Sequence, residues 1–377
     1  MTTQSTDSSA TTDEHRNRNA ERAQLHATIW RIADGLRGSV DGWDFKQYVL
    51  GMLFYRYLSE SQVRFVEEEY SLDQAFEQIP DEAFDEDTRR MLVENHGFFL
   101  LPSQLFSVVH AKARQDQNLN ETLADVFKAF EGSARGTESE DNVKGLFDDF
   151  VLDSNKLGVS PAARHESLLK LMDAVADMKL EKNYEESDND AFGDAYEYLM
   201  SMYASNAGKS GGEFYTPQEV SELLAKIALD GRDAEQIRTV YDPACGSGSL
   251  LLKVKRELGK NSDGLRFVGQ EINLTTYNLC RMNMMLHGVP VDDFSIAHGD
   301  TLIDPKHRGG AGGKFEEPFG AIVSNPPYST KWVGKDDIAL INDPRFAPAG
   351  VLAPKSKADL AFTMHMLHWL AEDGTAA

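Results

Sequence analysis

Asn325 stands at the end of an apolar run and is followed by Pro326, Pro327 and Tyr328, in the stretch AIVSNPPYST (residues 321–330). Two prolines stop a strand, since they fix φ and remove N–H donors. On these residues alone the plain reading, a Pro-Pro turn that ends a strand, is preferred. A second group lies upstream in DPACGSGS (242–249). Gly246 and Gly248 fall in a strand-to-helix turn, where a ligand can approach the backbone and meet helix N-terminal amides. The third glycine of a dinucleotide fingerprint is replaced by Leu251, which counts against a nicotinamide cofactor. A Gly-Ser-Gly turn can also be no more than a tight connection. Glu271 follows after about one β–α unit, in GQEIN, where a strand-end carboxylate can accept from two ribose hydroxyls. A lone strand-end Glu is commonly just solvated, but after that turn it favours a ribose-bearing cofactor. Asp300 in HGDT is a third acceptor, able to meet an adenine amino group.

These residues need a scaffold that gathers strand ends, and the second half of the chain supplies the pattern. IRTVYDPACGSGS, GLRFVGQEIN, DFSIAHGDTL and FGAIVSNPPY read as strands, with LLLKVKREL, TTYNLCRMNMMLHG and KADLAFTMHMLHWLAEDG as helices. Such alternation predicts a parallel, doubly wound α/β sheet. Its ligands bind outside the carboxyl ends of the strands. The expected helix ends near Gly374, leaving four strands and a chain that stops at TAA. Strand 319–324 would then be a bare apolar edge, which native folds avoid. The expectation is therefore a core truncated after its fourth strand, in a fragment of a longer protein.

Residues 20–205 carry helical periodicity, for example Leu25, Ile29, Ile32 and Leu36, with no convincing alternating strand. The expected division is a disordered polar tail (1–20), an all-α N-terminal domain (21–185) and a catalytic domain (186–377). NAGKSGGEFYTPQEV opens the second part, with Thr216-Pro217 as a helix start. Its GKS is no phosphate loop, because Tyr203 occupies the place of the first glycine of GxxxxGK[ST].

Composition sets further bounds. The 377 residues are 41% hydrophobic and 26% charged, with a formal net charge of −23. That balance weighs against a large nucleic-acid footprint of the chain's own. Any such function needs a local site or a partner's positive charge. No apolar run reaches the ~20 residues of a membrane helix, and the N-terminus lacks a signal sequence. The two cysteines, Cys245 and Cys280, have no metal-ligand spacing. They read as packing thiols in a reducing cytoplasm, with no zinc site or other metal. Lys331, Lys335, Arg345, Lys355 and Lys357 follow the NPPY turn and suggest a local DNA-facing loop. His365 and His368 read as buried, satisfied histidines, and RGGAGG (308–313) as a flexible loop.

The ordered set GGEFYTP, DPACGSGS, GQEIN, HGDT and SNPPY resembles the adenine-N6 DNA methyltransferases that use S-adenosylmethionine. More narrowly, the chain from about residue 20 onward resembles the modification subunit of type I restriction–modification systems. The stretches IWRIADGLRGSVDGWDFKQYVLGMLFYRYLSE and LINDPRFAPAGVLAPKSKADLAF belong to that likeness. It implies a Rossmann-like S-adenosylmethionine-dependent methyltransferase core preceded by the all-α domain. It implies that Glu213, Phe214, Tyr215, Thr216, Pro217 and Gln218 contact the methionine part of the cofactor. Asp242, Gly246, Ser247, Gly248 and Ser249 would line the same pocket, with Glu271 on the ribose and Asp300 near the adenine. It further implies that the Asn325 oxygen and the Pro326 carbonyl accept the two N–H groups of a flipped adenine amine. Pro327 would stiffen the turn and Tyr328 stack on the base. The implied partners are double-stranded DNA, a specificity subunit that chooses the target, a restriction subunit and a second modification subunit.

Two alternatives belong to other classes. Enzymes that methylate a glutamine amide in release factors share NPPY, but they carry a DLGTGSG-like turn and lack GGEFYTP. A truncated product could instead bind partners without catalysis.

Overall fold

The computed structural model describes residue 27 and residues 44–178, 180, 191–206, 216–232, 237–262, 264–307, 318–328, 330–334 and 337–377. The polar tail, the helix expected across Leu25 to Leu36 apart from residue 27, residues 213–215, the 308–313 run and Lys335 lie outside these. The chain forms two compact units, Met1–Asn206 and Ala207–Ala377.

In the first unit every described regular element is helical. The principal helices are α1 (Asp44–Glu69), α2 (Glu86–His96), α3 (Phe106–Ala113), α4 (Leu119–Ser133), the single turn α5 (Glu140–Val143), α6 (Pro161–Ala176) and α7 (Ala191–Asn206). Helix α1 is the hub. Val49, Leu50, Met52, Leu53, Phe54, Tyr55 and Leu58 are all buried, so it is covered nearly all round. Its polar residues tie the neighbours down. Arg56 donates to the carbonyls of Val175 (2.7 Å) and Met178 (2.8 Å) at the end of α6. Gln62 exchanges two 2.6 Å bonds with the Leu100 backbone. Asp85 and Ser160 cap α2 and α6 by accepting from Thr88 N and Ala163 N.

The second unit begins with α8 (Gln218–Leu229), after Pro217 in extended backbone. Then follow β1 (Thr239–Asp242), α9 (Ser249–Leu258), β2 (Arg266–Glu271), α10 (Leu274–Leu286), β3 (Phe294–His298), β4 (Phe319–Ile322), α11 (Ala358–Trp369) and β5 (Leu370–Ala376). All pairings are parallel and the strand order is β3-β2-β1-β4-β5. The order reverses between β1 and β4. Right-handed crossovers therefore put α9 and α10 on one face and α11 on the other. Tyr241, Val268, Phe319, Ile322 and Trp369 form a buried cluster on the sheet.

The four-strand expectation is overturned. Helix α11 stops at Trp369, where Leu370 turns extended (φ −75°, ψ 138°), and Leu370–Ala376 pairs with β4. Leu, Ala and Glu are good helix formers, so LAEDG reads as the tail of a helix. Pairing with β4 overrides that weak local preference. Strand 319–322 is thus internal, with partners on both sides.

Candidate active site

The reversal of strand order opens a crevice at the carboxyl ends of β1 and β4, the place where such sheets take ligands. Asp242 ends β1 and Ser324 lies just past β4, and the two side chains meet there. Asp242 Oδ1 accepts from Ser324 Oγ at 2.8 Å and from the Ala244 amide at 3.0 Å. Its other oxygen, Oδ2, is buried and has no donor among the described residues. Burial pushes the Asp242 carboxyl up to about 7, against the lowering pull of those two bonds. A buried carboxylate oxygen without a donor is costly, and it marks a place where a ligand's donor would be welcome.

The turn after β1 is built by glycine. Gly246 and Gly248 have φ of 54° and 82°, the left-handed region that side chains disfavour. A Cβ on Gly248 would lie 2.8 Å from Cys280 Sγ and from Met284 Cε, so α10 packs directly beneath the turn. Asn283 Nδ2 donates to the Ser247 carbonyl (2.9 Å), and the Ser247 and Ser249 hydroxyls are 3.1 Å apart. Cys245 and Cys280 are both buried, with their sulfurs 3.8 Å apart, as packing thiols would be.

Glu271 reaches this turn from β2. Its Oε2 accepts from Gly246 N (3.1 Å) and its Oε1 from Asn273 N (2.8 Å). Burial raises its pKa, while backbone amides oppose the shift. Asp300 follows β3 and accepts from Leu302 N at 2.9 Å, which bends the loop back. Thr301 Oγ1 then donates to the Pro243 carbonyl at 2.6 Å, tying that loop to the glycine turn.

Asn325, Pro326 and Pro327 are half-buried, while Tyr328 is 75% exposed. Asn325 Nδ2 donates to Thr216 Oγ1 (3.3 Å). With its NH₂ group held, the amide presents Oδ1 as a free acceptor direction. Glu213, Phe214 and Tyr215 lie outside the described residues. Thr216 meets the site through that bond, and Pro217 and Gln218 follow it at the start of α8. Asp242, Gly246, Ser247, Gly248, Ser249, Glu271 and Asp300 are thus gathered at one end of the sheet, beside the Asn325 turn.

Two residues escaped the sequence reading, and a third was misplaced by it. Ser324 links the two turns, Asn283 holds the Ser247 carbonyl, and Arg345 is buried. Ser324 adjoins NPPY and could have been suspected. Asn283 and Arg345 carry no local signal. Arg345 was expected to face DNA, but it is 3% exposed and fully bonded. The DNA-facing expectation therefore loses it, while Lys331, Lys355 and Lys357 are exposed. His365 is buried with both ring nitrogens bonded, whereas His368 is exposed on the outer face of α11. Among the described residues no cluster of His, Cys, Asp and Glu could hold a metal ion, and no helix is long and apolar enough to cross a membrane.

Comparison with known proteins gives concordant matches. The N-6 DNA Methylase family model matches residues 187–377, and the HsdM N-terminal domain model matches residues 25–175. The type I restriction enzyme MpnII methylase subunit of Mycoplasma pneumoniae is 47% identical over 374 residues, covering 96% of this chain and 68% of that protein. The MjaIX methylase subunit of Methanocaldococcus jannaschii is 26% identical over 366 residues, covering 92% of this chain and 59% of that protein. The crystal structure of the type I restriction-modification methyltransferase subunit from Streptococcus thermophilus superimposes with a TM-score of 0.79 at 36% identity. It covers 94% of this chain and 74% of that one.

Proposed function

Because this chain belongs to the N-6 DNA methylases, and among them to the methylase subunits of type I restriction enzymes, we propose that it holds an adenine, flipped out of DNA, for methylation at its N6 amine. S-adenosylmethionine, when bound, supplies an electrophilic methyl group. The residues present fit that molecule. Asp242 Oδ2, buried and without a donor among the described residues, offers an acceptor for an ammonium. The turn Gly246, Ser247, Gly248 and Ser249, which opens α9, brings backbone to the carboxyl end of the sheet, and residues 213–218 would contact the methionine part, as the resemblance implies. The Glu271 carboxylate suits ribose hydroxyls, and Asp300 suits the adenine amino group.

The observation that carries the reading is the arrangement of Asn325. Its NH₂ is directed at Thr216, so its oxygen is left to accept one N–H of an amine. The Pro326 carbonyl can accept the other. Those two bonds favour a pyramidal nitrogen and direct its lone pair away from the turn. An aromatic amine needs this help, since its lone pair is otherwise delocalised into the ring. Pro326 and Pro327 fix the acceptors beforehand. The exposed Tyr328 ring can stack on the base for roughly 1–3 kcal/mol, against a flipping cost of a few kcal/mol. The amine's proton can leave after transfer, so no strong base is required.

The acidic charge fits a chain that leaves most DNA contact to others. We infer a specificity subunit, a restriction subunit and a second modification subunit as partners, in the cytoplasm, with the helical N-terminal part (21–185) as a partner-holding domain and 186–377 as the catalytic one. The test is transfer of labelled methyl from S-adenosylmethionine to duplex DNA, with a specificity subunit added. Label recovered as N6-methyladenine supports the reading. Label recovered instead in a release-factor glutamine would replace it.

A further inference from the structure

Arg345 sits 20 residues beyond the catalytic Asn325 turn in a segment that has its own small core. Leu302, Trp332, Leu340, Phe346, Leu352 and Phe362 are buried together there. The segment is closed on itself at both ends. Trp332 N donates to Lys355 O (2.9 Å), Trp332 Nε1 to Pro354 O (3.1 Å), and Ala358 N to Thr330 O (3.3 Å). Thr330 is two residues past Tyr328, so movement of this segment is movement of the target side of the site.

All five N–H donors of the Arg345 guanidinium have acceptors. Nε and one Nη2 hydrogen hold Asp343, at 3.0 and 2.7 Å. The others reach the carbonyls of Thr301 (2.9 Å) and Leu302 (2.9 Å), and His365 Nδ1 (3.1 Å). Its Cζ lies 4.7 Å from the centre of the Phe346 ring. Since Nδ1 of His365 accepts, its Nε2 carries the proton and donates to Tyr241 Oη at 3.0 Å. Tyr241 precedes Asp242 in β1. Thr301 and Leu302 directly follow Asp300, and Leu302 N is the donor that fixes the Asp300 carboxylate. One buried cation therefore joins the Asp300 loop, the segment behind the catalytic turn, and, through His365, the strand that carries Asp242.

Given the roles proposed above for Asp300 and the Asn325 turn, we propose that Arg345 is a positioning residue that couples cofactor binding to target binding. It acts through Thr301 and Leu302. The Asp300 loop in its bonded place holds Arg345, Phe346 and Trp332, and with them the segment flanking Tyr328. Displacing either side removes acceptors from a buried guanidinium, which is strongly disfavoured. The two sites should then favour each other's occupation, by the same factor in both directions.

The experiment uses the methylase subunit assembled with its specificity subunit. Affinity for S-adenosylhomocysteine is measured with and without the duplex that the specificity subunit selects, and affinity for the duplex with and without S-adenosylhomocysteine. The parent should show a coupling factor of about five or more. In Arg345→Lys, which cannot reach all these acceptors, the factor should fall close to one. Should Arg345→Lys fail to fold, Asp343→Asn decides by the same factor, since it loosens the guanidinium from a carboxylate that is one-fifth exposed. Weaker binding of both ligands with an unchanged factor would make Arg345 a scaffold residue only and overturn the proposal. So would a parent factor of one. A parent assembly that transfers no methyl to DNA at all would instead sink the functional reading on which the coupling rests.

Discussion

Proton release on cofactor binding follows from Asp242. Its carboxyl is held at about 7 by burial, and Oδ2 has no donor among the described residues. An ammonium seated on that oxygen favours the ionised form, so binding below about pH 7 must expel the proton. With a free-state value of about 7, roughly 0.9 of the Asp242 carboxyls are protonated at pH 6, and binding there should release roughly 0.9 proton. Affinity should then fall as pH drops through 7, towards a limit of about tenfold, or ~1.4 kcal/mol, per pH unit. On the alkaline side affinity should hold above about 7 until the ligand's α-amino group begins to lose its own charge. Stability of the unliganded unit runs the opposite way. A carboxyl whose folded value is raised contributes stability that is fully present below its unfolded value and lost as pH rises through about 7. Calorimetric titration with S-adenosylhomocysteine at pH 6, in two buffers of different ionisation enthalpy, counts the proton directly. Asp242→Asn should remove the release and flatten the acid limb down to the region where Glu271, also raised by burial, begins to titrate. No release at pH 6, or an acid limb unchanged in Asp242→Asn, would refute the assignment of Oδ2 to the ammonium.

Asn325→Ala should lower methyl transfer by at least about a hundredfold, the usual cost of losing a positioned polar group at a reacting centre, while S-adenosylhomocysteine affinity stays nearly intact; a comparable loss of affinity would move Asn325 out of the target site. Glu271→Ala should weaken S-adenosylhomocysteine binding, measured by titration, and unchanged binding would remove Glu271 from the ribose. Gly248→Ala places a Cβ 2.8 Å from Cys280 Sγ at φ 82°. A penalty of ~2 kcal/mol or more should appear as a Tm drop of roughly 4–8 °C in a melting curve.

The strand ends were legible because their chemistry is local. Asp242, Glu271 and Asn325 each stand where an apolar run meets a turn residue, and alternation of strand and helix put them at one end of a parallel sheet. The left-handed turn was legible from Gly246 and Gly248 for the same reason. Strand β5 was not, since LAEDG carries helix propensity and becomes a strand only by pairing with β4. Arg345 was misread because charge was taken as a sign of exposure. Three of its five acceptors come from two distant stretches, 301–302 and 365, and no spacing along the chain announces them. Ser324 shows the middle case. Its position beside NPPY was visible, but its bond to Asp242 depends on β4 lying next to β1, a fact of topology rather than of motif.

That topology explains why the Asn325 turn can be rigid at the carboxyl end of the sheet. Beyond Ile322 the chain keeps two strand-like bonds, from Val323 N to Tyr241 O (3.0 Å) on the β1 side and from Ser324 N to Ala377 O (3.0 Å) on the β5 side. Ser324 Oγ adds the bond to Asp242. After the N–H of Asn325 itself, the next two donors a strand would need fall on Pro326 and Pro327, which have none. Pairing must therefore end at Asn325, by covalent structure and not by competition. The residue released at that point has neighbours fixed on both sides, and its own NH₂ is anchored to Thr216. A bare β4 edge would have lost the Ala377 bond and left Ser324 held from one side only. The fifth strand thus does more than cover an edge: it holds the backbone one residue before the acceptor on which the proposed chemistry depends.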